Sequence, residues 1–299
     1  MTARVACALL FVLFAAGTAR AETKEPPLAE SRRALIVQGQ RYGTLGDQHP
    51  LAAKVREVFG RIVRAAGQRP GLALEVHVLD TPRLILEALR GGLVVVSRGF
   101  VEFARGDEHA LAWGLGHEVA HLVRDHHAIL DSLGVLGATV TPGADPRSDQ
   151  VVRAYRAMEL DADRLGALFA TLAGYRASAA APTVVALAER AGPDLFHPNP
   201  KERAAAIRTK LAEISDHLEL FQLGVFLTAT GRYLDGAQVL EHFLSMFPSR
   251  EVLAAVGVAY HKEALRYARE PEFRHLLVIE FVNAAALRNS GTRTSRSTC

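Results

Sequence analysis

Asp107-Glu108-His109-Ala110-Leu111-Ala112-Trp113-Gly114-Leu115-Gly116-His117-Glu118-Val119-Ala120-His121-Leu122 is the stretch on which the fold turns. Asp107 and Glu108 place negative charge where the positive end of a helix favours it. Apolar residues then fall on most faces, so the pattern predicts a buried helix running on to about Leu130. Inside such a helix His117, Glu118 and His121 are costly unless partners satisfy them. Their spacing suggests the partner. Two imidazoles four residues apart share one face and can reach a common zinc ion at about 2.0–2.1 Å. Glu118 lies about 100° round the helix from His117. It is therefore beside the ion and not bound to it, placed to take a proton from water that the ion acidifies.

A catalytic zinc takes three protein ligands and keeps a fourth position open. After a linker-like stretch at residues 139–150 (TVTPGADPRSDQ), helical periodicity returns from Val151 to Gly174 and carries Met158-Glu159-Leu160-Asp161-Ala162-Asp163-Arg164-Leu165-Gly166. Glu159 is the candidate third ligand. Asp163 shares its face and can accept the free ring N–H of His117 or His121, fixing the tautomer that binds metal. Asp161 should point elsewhere, toward solvent or a surface pair. His126, five residues after His121, falls about 140° from the metal face of a continuous helix. It and His127 are therefore expected to cap or solvate the helix end.

Working outward, residues 22–50 are polar and turn-rich, and Leu51 to Ala66 reads as a helix stopped by Gly67 and Pro70. Ala73 to Leu79 alternates like a half-buried strand, and Gly91-Gly92 introduces a second strand from Leu93 to Ser97. A Pro/Asn loop, His197 to Pro200, precedes a helix from about Lys201 to Ile214. From about Leu220 the pattern resembles tetratricopeptide repeats: Leu220, Leu223, Gly224 and Leu227 open one unit, Gly236 takes its small position, and Pro248 closes it. Leu253, Val256, Gly257 and Tyr260 repeat the opening, although a generic helical hairpin fits the same residues.

At the N-terminus Arg4, an apolar run from Val5 to Ala16 and Ala19-Arg20-Ala21 read as an export signal cut after Ala21. Its removal leaves Cys299 as the one cysteine, so no internal disulfide is expected. The net charge of +3 falls toward neutral with the loss of Arg4 and Arg20, and there is no basic stripe with interleaved aromatics. Nucleic acid is not an expected partner. No later apolar segment is long enough to span a bilayer.

These residues resemble the zinc peptidase family that includes the CAAX prenyl endopeptidases, the HtpX heat-shock peptidases, the mitochondrial Oma-type peptidases and the periplasmic BepA-type proteins. The likeness runs over about residues 35–215. It rests on Gly91 to Gly99, on the approach from Asp107 to His121, on Glu159 followed by Asp161-Ala162-Asp163 and Gly166, and on His197-Pro198 with Glu202-Arg203. His126 falls where relatives often carry another histidine. One departure is Leu84 to Arg90 (LILEALR), where relatives commonly carry an Asn-Ala-Phe type segment. The resemblance implies a mostly α fold with a small β-sheet (α+β): a zincin-like metallopeptidase domain at 22–215, a tetratricopeptide-like helical region at 216–289, a signal at 1–21 and a disordered tail at 290–299. It also suggests that Gly91-Gly92 and Leu93 to Val96 form an exposed edge that accepts a substrate strand; the alternative is an ordinary core strand.

Peptide hydrolysis also needs a donor for the oxyanion, for which His197, Arg203 and Tyr155 are candidates. His197 could equally be a loop residue or an extra ligand that closes the site at rest, and Arg203 could simply pair with Asp161 or Asp163. The reading is a periplasmic, HExxH gluzincin-type endopeptidase holding one Zn2+ and cleaving unfolded or unassembled envelope proteins, with a protein partner on the helical tail. The competing reading is a latent or inactive peptidase-fold chaperone that acts through that tail.

Overall fold

The computed structural model describes residues 27–67, 72–104, 107–133, 146–192 and 194–267. The export signal, the tail at 290–299 and residues 268–289 of the expected repeat region lie outside them. The chain parts into two compact units at Ala212/Glu213.

The first unit runs α1 (Pro27–Tyr42), α2 (Pro50–Ala66), β1 (Glu75–Leu79), β2 (Leu86–Leu89), β3 (Leu93–Ser97), α3 (Arg98–Phe103), α4 (Glu108–Val123), α5 (His126–Ser132), α6 (Pro146–Leu172), α7 (Ala180–Ala191) and α8 (Pro200–Asp216). The sheet order is β1-β3-β2, with β1 parallel and β2 antiparallel to β3. The mostly α fold with a small sheet is thus as expected. β3 is the central strand and buried along its whole length, so the edge reading of Leu93 to Val96 is overturned. The reason is that β3 pairs with β1 along one side and β2 along the other, while α1 and α4 both pack on it. α1 falls in the stretch expected to be turns. It escapes apolar periodicity because the stripe it turns inward is Ser31, Ala34, Leu35 and Gln38, while Ile36 and Val37 are exposed.

The edge strands among the described residues are β1 and β2, and β2 lies in the LILEALR segment. Gly91 and Gly92 make the tight turn into β3 with φ of 78° and 106°, and a Cβ on Gly92 would come within 2.0 Å of the Ala73 carbonyl oxygen. The pairing of Glu87 with Val95 and the bond from Ser97 N to Ile85 O set the alternation along β2. The backbone groups of Leu86 and Ala88 therefore point away from β3.

α4 is buried from Ala110 to Ala120, as its composition predicts. It does not continue to Leu130. Asp125 turns into the left-handed region (φ 56°, ψ 42°), a conformation that Asp tolerates better than most residues, and α5 starts afresh at His126. α6 begins at Pro146, inside the expected linker, with proline in the first turn, where a backbone N–H has no intrahelical partner to lose. α4 and α6 meet backbone to backbone. A Cβ on Gly116 would lie 2.9 Å from Gly166 O, and one on Gly166 would lie 2.7 Å from His117 N. Only glycine allows this approach.

In the second unit α9 (Leu218–Ala229), α10 (Tyr233–Met246) and α11 (Arg250–Tyr267) pack in succession. Gly224 and Gly236 are again points of close approach: a Cβ on Gly224 would lie 2.6 Å from Leu240 Cγ. Ala237, Leu240, Ala255 and Ala259 form its core.

Because the α4–α6 crossing sets the distance between the HExxH face and Glu159, Gly166→Ala should cost about 1–3 kcal/mol in denaturant unfolding through overpacking, and zinc affinity should fall with it. Gly257→Ala is the control, since its added Cβ meets nothing within 4 Å. A Gly166→Ala protein with wild-type stability and zinc affinity would refute the role of the crossing.

Candidate metal centre

α4 presents His117 and His121 on one face, and α6 brings Glu159 over them. His117 Nε2 and His121 Nε2 are 3.1 Å apart, His117 Nε2 is 3.2 Å from Glu159 Oε2, and His121 Nε2 is 3.4 Å from Glu159 Oε1. A tetrahedral ion with bonds of about 2.0–2.1 Å separates its ligand atoms by roughly 3.3–3.4 Å. The three donors already stand at about that spacing. Glu159 Oε2 is buried without a hydrogen-bond partner, a state that a cation resolves and that packing alone does not. Two histidines, one glutamate and no thiolate make a zinc donor set of the open kind, so the residues present fit that metal.

The electrostatics agree. Burial holds His121 down at about 3, so its imidazole is neutral, as a ligand must be. Burial would also lower His117, but the Asp163 and Glu159 carboxylates override it and raise the group to about 10. Burial would raise Glu159, yet the neighbouring His121 and His117 rings hold it well below the ordinary carboxylate range. Without a metal this site collects positive charge in the form of a proton. A divalent cation satisfies the same field.

Asp163, wholly buried, lies 3.0 Å from His117 Nδ1, an ion-pair contact. It braces His117 and not His121. Arg203 of α8, also buried, grips Asp163 through Nε and a terminal nitrogen, both at 2.7 Å, and stands 3.6 Å from Glu159 Oε2. Of its two sequence readings, the structure displays the pairing with Asp163. Asp161 points away, as expected, and pairs with Arg124 at 3.0 Å.

Glu118 lines a cavity of about 450 Å3 together with His117, Trp113, Gly114 and the loop at His197. Burial pushes its carboxyl up to about 7; His117 opposes the shift, while Glu159 and Glu87 add to it. His197 reaches the centre: Nε2 is 3.5 Å from Glu159 Oε2, and Nδ1 is 2.5 Å from Asp194 Oδ2. Asp194 Oδ1 also accepts the backbone N–H of Phe196 and His197, each at 2.8 Å, which fixes the loop. The visible signal for Asp194 was an Asx turn in Asp-Leu-Phe-His. Tyr155 stacks on Phe196 instead of facing the metal donors, with ring centroids 4.7 Å apart.

His126 corrects the sequence reading. It is buried, not a solvated cap, and its Nδ1 is 3.1 Å from Nδ1 of His121. The helical-phase argument failed because the helix ends before it.

Two histidines and a glutamate with ligand atoms within 4.8 Å of one another, and the Glu118 carboxylate alongside, make up the donor set of a zinc metallopeptidase-type centre. Residues 51–145 match the profile of Peptidase family M48. The chain is similar to the mitochondrial metalloendopeptidase OMA1 of Saccharomyces cerevisiae, 30% identical over 155 residues that cover 44% of each protein. It is likewise similar to the human mitochondrial metalloendopeptidase OMA1, 30% identical over 145 residues, 40% of this chain and 28% of the human one. The matched stretch thus spans less than half the length of these relatives.

Glu159→Ala should lower zinc affinity by orders of magnitude, read by competition with a chelator, while zinc content in Asp161→Ala stays near wild type under saturating metal. Unchanged binding in Glu159→Ala would move the third ligand elsewhere.

Proposed function

We propose that this chain is a zinc-dependent endopeptidase. The observation that carries the proposal is Glu118, unligated and buried, lining the same cavity as His117 beside a three-donor zinc site. Zinc, when bound, acidifies water and polarises the scissile carbonyl. Glu118 accepts the proton released as water attacks and passes it to the departing amine; a carboxyl that titrates near neutrality suits both transfers. His197 holds Asp194 through one ring nitrogen and turns the other toward the cleft, from where it can donate to an oxyanion. Arg203 acts through Asp163 and Glu159 as a positioning residue.

The substrate reading follows the walls of the cavity. Leu84, Leu86, Phe100, Trp113 and Leu187 line it beside Glu118, which suits an apolar side chain next to the cleaved bond. The outward backbone groups of Leu86 on β2 supply the pairing once sought at β3, so an extended segment of an unfolded polypeptide fits best. We extend the proposal to the context: an exported, envelope-located enzyme whose tetratricopeptide-like helices hold a protein partner. Among the described residues no helix is long and apolar enough to cross a membrane.

Cleavage of an unfolded test protein should fall about 10²–10⁴-fold in Glu118→Gln with zinc content retained. Equal cleavage by wild type and variant would remove the peptidase assignment. In His197→Ala, kcat should drop about 10²–10³-fold with little change in zinc affinity. A rise in activity would instead make His197 the residue that holds the enzyme shut.

A further inference from the structure

His117 and His121 are the two imidazole donors, yet only His117 has a carboxylate behind it. Behind His121 stands a second imidazole. α4 ends at Val123, Arg124 and the left-handed Asp125 reverse the chain, and His126 is delivered into the protein, 4% exposed, with its ring at 85° to that of His121 and the centroids 4.9 Å apart. The nitrogens that face each other are Nδ1 and Nδ1, at 3.1 Å. His126 Nε2 lies 3.5 Å from Asp161 Oδ2, and Asp161 is itself held by Arg124. The short helix behind this ring is pinned to the edge strand at two further places: His127 Nε2 meets Ala88 O at 3.1 Å, and Arg90 pairs with Asp131.

We propose that His126 is the positioning residue for the metal ligand His121, fixing its tautomer and ring plane as Asp163 does for His117. The roles follow from one constraint. His121 turns Nε2 toward the other two donors, so its neutral ring carries hydrogen on Nδ1. That N–H must donate to His126 Nδ1, which is then an acceptor, and the hydrogen of His126 resides on Nε2. Asp161 is acceptor-only when ionised and receives it. A single polarity runs outward from His121 through His126 to Asp161. The inference rests on the zinc reading of the centre but not on proteolysis, so its test reads the metal.

Full-length protein is titrated with zinc against a chromophoric chelator, and visible spectra are recorded with cobalt in place of zinc. Removing an outer partner of a ligating histidine costs about 10–100-fold in metal affinity. His126→Ala should show a loss of that size and altered cobalt absorption. His126→Gln, whose amide oxygen can accept the Nδ1 hydrogen, should recover most of both. Asp161→Ala should weaken binding in the same direction by less, and because Asp161 is partly exposed it keeps the test open if His126→Ala does not fold. Wild-type zinc affinity and cobalt spectrum in folded His126→Ala would overturn the proposal, as would a His126→Gln protein no better than His126→Ala. Failure of the wild type to bind zinc would instead strike the metal centre itself.

Discussion

The centre depends on one close contact, the backbone approach of α4 and α6 at Gly116 and Gly166. A helix pair separated by side chains has axes about 8–10 Å apart, and any side chain at either glycine would widen the crossing. The imidazoles reach inward from α4, His117 directly after the contact and His121 about one turn further on, and the carboxylate of Glu159 from about two turns before it on α6. Since donor spacings must match within a few tenths of an ångström, the glycine pair sets the metal geometry as much as the ligands do. It also explains why α4 is buried on nearly every face: α2 and the sheet close it from other sides.

Around that contact the chain arranges two outer supports of different chemistry. Arg203, Asp163 and His117 form a buried, charged line in which the guanidinium offsets the carboxylate. Breaking such a line leaves an uncompensated buried charge, at about 3–5 kcal/mol. On the other side His121 meets a second imidazole. The first support lies among the inner helices and the second near the surface at Asp161, so the two ligands face different dielectric surroundings.

Much of this was legible in the sequence. His117, Glu118, His121 and Glu159 are fixed by helical spacing and by the cost of burying them unpartnered, arguments that need no tertiary structure. α2, β1, β3 and α4 followed from apolar periodicity. What escaped did so for identifiable reasons. α1 buries Ser31 and Gln38, polar residues that periodicity counts as exposed. β2 has no turn residue on its N-terminal side and reads as an ambiguous apolar run. The end of α4 is a single left-handed aspartate, which no composition rule marks, and that omission misplaced His126. The match to Peptidase family M48 ends at residue 145, before Glu159, so here too the second half of the centre is supplied by the fold.

The charges buried at the centre explain why the metal-free and metal-bound forms must differ in protonation. Glu159 and Asp163 are both held ionised, and Arg203 balances one of them. Against the cost of burial, contact with Asp163 and then with Glu159 raises His117 to about 10, since a protonated ring is the positive group nearest to hand. A divalent cation between the donors brings more positive charge than that proton and requires the nitrogen that carries it. Metal and proton therefore compete for His117, and zinc uptake releases a proton. The same substitution places net positive charge beside Glu118, whose high pKa in the metal-free form comes mainly from burial and then from Glu159. Occupancy of the centre thus favours the ionised carboxylate that a general base requires. In this arrangement an ion that acidifies water would also ready Glu118 to receive its proton.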